Sequence, residues 1–220
     1  MNRRGFTLLE LLVVLVIFAV LASAGYFLTR AGRRNSNIQR SGTELAERMD
    51  SLRTAAMREG REYVLVAVDA ADPAACSLWN QDPCARYFVL SAPTAAWTLG
   101  AFSLSAPSTE ARLEEEVALR GGVRFVQNNV PFPRPPLDTL PLADPDLFQA
   151  CGGRRCFAIR YSTDGRVRPE VAPGRPTSKR GLVLALASDL IPDTDIAGNR
   201  GGNQVYGVAI AFPLGVVRTF

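Results

Sequence analysis

From Phe6 to Leu28 every position is apolar or small except Thr7, Glu10 and Ser23. At about 1.5 Å of rise per helical residue, such a run spans a bilayer core of about 30 Å, and a transmembrane helix is expected over 6–28. Beyond it the apolar positions become periodic. Ile38, Leu45, Met49, Leu52 and Ala56 follow one another at spacings of seven, four, three and four, with charged residues on the other faces. That is one amphipathic stripe, and it predicts that the helix continues over 29–60. Gly32 and Gly42 are places where it would bend or loosen, and Gly60 is the expected C-cap. A separate surface helix is the alternative.

After Gly60 the pattern turns from helical to extended. Glu62 to Val68 is rich in β-branched and aromatic residues and is bounded by Asp69 and Asp72-Pro73. Further strands are expected at 86–91, 97–104, 117–127, 156–162, 167–171, 182–187, 205–212 and 215–219. Thr163-Asp164-Gly165 is a strong hairpin signal, and Pro213-Leu214-Gly215 predicts a tight turn between the last two strands. Many short strands and no second long helix indicate an α+β fold, a long N-terminal helix packed on antiparallel β-sheets within a globular domain over 61–220. Two stretches break the pattern and are expected as surface loops, 69–85 and 130–153. The second carries six prolines, which remove backbone donors and disfavour a central strand. Loops on a rigid scaffold are where binding tends to sit, and contact with a partner and plain decoration both remain open for them.

The carboxylate at Glu10 is the anomaly in the apolar run. An ionisable side chain at that depth costs roughly 2.5 kcal/mol or more, so it normally has a partner or a job. A secretory signal peptide is a second reading of the segment: Arg3 and Arg4 give a basic start and Ala22-Ser23-Ala24 resembles a cleavage site. Against it stand the length of the run and Glu10 itself.

Gly5-Phe6-Thr7-Leu8-Leu9-Glu10 resembles the processing site of type IV prepilins and type II secretion pseudoprepilins. The resemblance implies a pilin-like fold, a leader at 1–5, cleavage by a prepilin peptidase between Gly5 and Phe6, and N-methylation of Phe6. It also implies that Glu10 neutralises the N-terminal amine of a neighbouring subunit during assembly. Opposite charges about 4 Å apart in a medium of low effective dielectric attract by several kcal/mol, which offsets their desolvation only when both arrive together. The later chain is similar to the FimT/GspH branch of minor pilins and pseudopilins. The matching pattern is Phe157-Ala158-Ile159-Arg160-Tyr161 running into Asp164-Gly165, then 182–187, then 205 onward.

Composition narrows the chemistry. Of the 25 basic residues only Lys179 is lysine, and the net charge of +4 falls to about +2 once Arg3 and Arg4 leave with the leader, too little for a global field that binds nucleic acid. The absence of histidine removes the commonest general base and metal ligand. Nucleophile candidates lack an adjacent base, so no enzyme and no cofactor are expected. Cys76, Cys84, Cys151 and Cys156, in a chain read as exported, point to two disulfides; free thiols and a four-cysteine metal site are the alternatives, and three connectivities stay open. Asp189, Asp193 and Asp195 are weak calcium candidates without the glycine and glutamate of an EF-hand loop. Glu114-Glu115-Glu116 reads as a solvated turn or strand entrance. Arg166 and Arg168 share one strand face and are weak DNA candidates; similar Gly-Arg-x-Arg stretches occur in DNA-binding members of the branch, and solvent-facing arginines are the simpler account.

Arginines flank the apolar run on both sides, Arg3 and Arg4 before it and Arg30, Arg33 and Arg34 after it, so the positive-inside count alone places the domain in the cytoplasm. The cysteines and the prepilin-like motif place it in the periplasm, with the helix in the inner membrane. The function expected is a minor pilin that helps initiate or cap a type IV pilus, with a pseudopilin of a type II secretion system as alternative. The expected partners are the peptidase, other minor pilins, the major pilin or pseudopilins, and a tip adhesin. A DNA-uptake pilin and a membrane-anchored binding domain unrelated to pili are further alternatives.

Overall fold

A 52-residue helix, α1 (Leu8–Glu59), runs unbroken from the apolar segment into the globular domain. The computed structural model describes residues 8–69, 85–94, 97–102, 110–120, 123–125, 149–151, 154–170, 181–188 and 205–219, without the side chains at 10, 27–35, 101, 149–151, 154–155, 181–185, 187–188 and 205. The continuous-helix expectation holds. Gly60 closes α1 with a left-handed backbone, φ +63°, and its N–H donates to the Ala56 carbonyl at 3.1 Å. That is the geometry a glycine cap supplies without steric cost.

Ten strands follow: β1 (Tyr63–Val68), β2 (Arg86–Ser91), β3 (Arg112–Ala118), β4 (Val123–Phe125), β5 (Gln149–Cys151), β6 (Arg154–Tyr161), β7 (Val167–Glu170), β8 (Gly181–Ser188), β9 (Val205–Ala211) and β10 (Val216–Thr219). They form two antiparallel sheets. The first has the order β3-β2-β1-β6-β5, with β7 beside β5 on the outer edge of β6, and the second has the order β10-β9-β8-β4.

The main core lies between α1 and both sheets. All five residues of the predicted stripe are buried there, together with Leu65, Phe125, Phe157, Ile159, Leu186 and Ile210. A second core covers the opposite face of the first sheet, where Val64, Val66, Val68, Phe88 and Ala158 meet Trp97, Leu99 and Phe102. β1 is therefore buried on both faces, which explains why its sequence is continuously apolar instead of alternating. The buried Asp69 joins the sheets, its carboxylate accepting the Phe125 N–H at 3.3 Å.

Several expected elements differ. The strand expected at 97–104 contains a single 3-10 turn, Leu99–Ala101, because Trp97, Leu99 and Phe102 are spent covering the second core and not pairing in a sheet. The strand expected at 117–127 is two strands in two sheets, β3 and β4, with Leu119 buried between them. Glu114-Glu115-Glu116, expected as a turn or strand entrance, lies inside β3. The last part of the 130–153 stretch contributes β5, and the remainder of that stretch lies outside the described residues. Gly42 neither bends nor loosens α1. A methyl group there would overlap the Tyr206 ring, whose hydroxyl lies 3.3 Å from Thr43 Oγ1, so glycine is needed for β9 to approach the helix.

Candidate functional site

The described side chains in the N-terminal half of α1 are exposed. Its large apolar side chains are exposed, from Val14 at 45% to Leu8 at 83%, and the run extends through Leu21 to Tyr26. From Ile38 onward the same helix is buried on one face. Apolar surface of this extent on a soluble monomer calls for a covering phase or partner. Among the described residues no helix is long and apolar enough to cross a membrane. The transmembrane expectation thus stays outside what the structure shows. Glu10 lies on the helix backbone one turn into the apolar run; Gly5 and Phe6 lie outside the described residues.

The remaining candidates separate clearly once placed in the fold, where acids and arginines answer one another. In β3, Glu115 pairs with Arg48 of the helix, Glu116 with Arg86 of β2, and Glu114 accepts from Ser91 Oγ and lies 3.7 Å from Arg112. The acidic run is an edge strand neutralised residue by residue, which also discourages further strand pairing there. Arg166 is 3.3 Å from Asp164, and Arg168 is 3.8 Å from Glu170. Both arginines are exposed yet already faced by carboxylates, so their weak candidacy for DNA gains nothing from the geometry. Among the described residues no cluster of three or more acids or cysteines is placed to hold a metal. Asp189, Asp193 and Asp195 lie outside them.

Arg160 is the polar centre that sequence reasoning missed. It is buried in β6 on the second-core face, bonded to Glu170, donating from Nη1 to Glu62 at 2.8 Å and from Nη2 to the Trp97 carbonyl at 3.2 Å. Its guanidinium also sits 5.7 Å from the Trp97 ring centroid. With both charge and donors engaged, the group is structural. Only its parity with Ala158 in the strand could have flagged it.

At the C-terminal end of α1 a groove of about 470 Å³ is lined by Arg48, Leu52, Ala55, Arg58, Tyr63 and Glu114. Its charges balance internally: Glu59 is held below the usual carboxylate range, first by the Tyr63 hydroxyl donating at 2.6 Å, then by Arg58 and Arg61. Burial, and then Glu59, push the Tyr63 phenol up. No ligand chemistry is specified by so neutral a lining.

Cys156 is buried in the second core with its sulfur disulfide-bonded, and no described cysteine is free. In the β5–β6 hairpin Cys151 stands opposite Arg154 and Cys156 opposite Gln149, which makes the two cysteines diagonal neighbours. Cys76 and Cys84 lie outside the described residues.

Residues 1–26 match the family described as the prokaryotic N-terminal methylation motif. The match supports a type IV pilin-like protein, one that is processed by a prepilin peptidase and assembles with other pilins. No curated protein and no solved structure matches the chain.

Proposed function

We propose that the chain is a minor pilin of a type IV pilus, of the FimT/GspH branch. It is cleaved between Gly5 and Phe6, methylated at Phe6, held in the inner membrane by 6–28 with the domain in the periplasm, and then drawn into a filament. The observation that carries this reading is the division of α1: an exposed apolar half continuous with the methylation-motif match, and a buried half that belongs to the domain core. In a bilayer the exposed half is covered by lipid, and in a filament by neighbouring helices. Transfer between the two leaves the domain core intact, because the described residues that anchor α1 to the sheets begin at Ile38.

Glu10 supplies the selectivity of docking. In lipid its carboxylate is unpaired or protonated, and beside the amine of a neighbouring Phe6 it is paired, so assembly is favoured when both charges are buried together. The stretches 69–85 and 130–153, with disulfides from Cys76, Cys84, Cys151 and Cys156, suit a tip subunit that has free surface where a shaft subunit would clash. Contact there is with other minor pilins, the major pilin or an adhesin. The role is structural, with no enzymatic step and no cofactor.

The test is N-terminal mass analysis of the protein from membranes. A mature chain beginning at N-methyl-Phe6, with cleavage abolished by Gly5→Val, supports the reading, and a start at Met1 or after Ala24 overturns it. Glu10→Ala is expected to be cleaved normally and to be lost from sheared filaments. A copy number in those filaments far below the main subunit fits a tip position, and presence only in a secretion pseudopilus transfers the protein to the type II system.

A further inference from the structure

We propose that Arg30, Arg33, Arg34 and Arg40 form a basic collar that binds the headgroups of anionic phospholipids on the periplasmic face of the membrane. The proposal rests on the anchor reading above. α1 is helical without a break through this stretch. At 3.6 residues per turn, the four positions fall within an arc of about 120° and over about 15 Å of helix axis. On the helix surface the arc lies beside the buried stripe that holds the domain. Arg40, whose side chain is described, is exposed and has no ion pair with any described residue.

The collar has no acidic neighbour along its own stretch of helix. No Asp or Glu occurs between Glu10 and Glu44, and Glu44 is already held by Arg120 at 2.6 Å. In the domain Arg48, Arg61, Arg86, Arg112, Arg160 and Arg166 each lie against a carboxylate. Three of the four collar positions fall where the apolar run ends. Counting from Leu28, Arg30, Arg33 and Arg34 fall within about 9 Å along the axis, at the depth of the headgroup layer, and Arg40 is about 18 Å along, roughly one Debye length above it. Long arginine stems reach back toward phosphates. On the translocated side such a cluster runs against the usual bias of loop arginines, so topology does not account for it. Each arginine near an anionic surface strengthens attachment roughly five-fold. The collar would orient the domain over the bilayer and hold the subunit until assembly, when exchange of lipid for protein neighbours releases it.

The experiment uses the full chain in a mixed bilayer of phosphatidylcholine and phosphatidylglycerol. The protein is solubilised in mild detergent, and the lipids retained with it are quantified by mass spectrometry. Wild type is expected to retain phosphatidylglycerol at least about five-fold above its bulk share. The quadruple variant R30Q/R33Q/R34Q/R40Q is expected to fall to the bulk ratio, and the corresponding four Arg→Lys changes to keep the enrichment, since charge and not fork geometry is what acts. A bulk ratio for wild type in a chain that resists alkaline carbonate extraction overturns the collar while leaving the anchor, and points to a neighbouring subunit as the source of counter-charge. Enrichment that survives the Gln changes also overturns it. A chain released by carbonate with no lipid retained shows that the anchor reading, and the collar with it, has failed.

Discussion

Glu59 is the residue whose surroundings most directly set its titration. Its carboxyl lies below the usual range chiefly because Tyr63 donates to it. A lowered folded-state pKa contributes stability that is present above the unfolded carboxylate value and is lost as pH falls through the folded one. Tyr63→Phe is expected to move the Glu59 midpoint, read by NMR, upward toward 4.5. The phenols behave in the opposite sense. Burial and then Glu115 push Tyr87 up to about 12, and burial and then Asp50 push Tyr161 up as well. For raised groups the contribution is complete below the unfolded value of 10.0 and is lost as pH rises above it, so urea midpoints are expected to hold to that pH and then fall. Tyr161 also buries a hydroxyl with no hydrogen-bond partner among the described residues. Tyr161→Phe is expected to raise stability by up to about 1 kcal/mol and to soften the alkaline loss, because it removes an unsatisfied polar atom and keeps the ring.

At the scale of elements, two contacts fix how α1 lies on the sheets. Gly42 admits the Tyr206 ring of β9, and Arg53 Nε donates to the Gly165 carbonyl in the β6–β7 turn at 3.2 Å. Gly42→Ala is expected to cost about 1–3 kcal/mol by overpacking, with Tyr206→Ala relieving part of that cost in the double variant, as measured by urea unfolding. The β6–β7 turn that the sequence announced is present: Gly165 has φ +78° and its N–H donates to the Ser162 carbonyl at 2.9 Å, while Asp164 accepts the Arg166 N–H at 3.0 Å. Arg160 is the corresponding polar joint of the first sheet. Arg160→Ala removes the buried cation between Glu62 and Glu170, leaving Glu170 only the exposed Arg168, and is expected to destabilise by about 3–5 kcal/mol, well beyond the loss from an exposed arginine such as Arg40.

For the whole molecule, the core formed by the described residues takes its helix contacts from Ile38 onward. A chain beginning at Ser36 is expected to fold, to remain monomeric, and to unfold in urea within about 0.5 kcal/mol of the full-length domain, because its buried contacts begin at Ile38. Aggregation or loss of the cooperative transition would show that residues before Ser36 support the domain. The full-length chain, in contrast, exposes Leu8 to Tyr26 and is expected to need detergent or lipid to stay dispersed.

The helix, its stripe, its glycine cap and the two tight turns were determined by the sequence alone, because each rests on local rules: a 3.6-residue period, a left-handed backbone that glycine tolerates, an Asp-Gly turn. The prepilin-like motif was legible for a related reason, since it is read as a linear stretch, and the methylation-motif match over 1–26 spans it. The tertiary structure decided the rest. Leu99 and Phe102 became a cover for the second core, Glu114 to Glu116 became a strand because arginines from α1, β2 and β3 come to meet them, and Gly42 became a notch because Tyr206 arrives from the far end of the chain. Those outcomes depend on which face of which sheet a residue meets, and pairing between segments distant in the chain is not encoded in any single window of it.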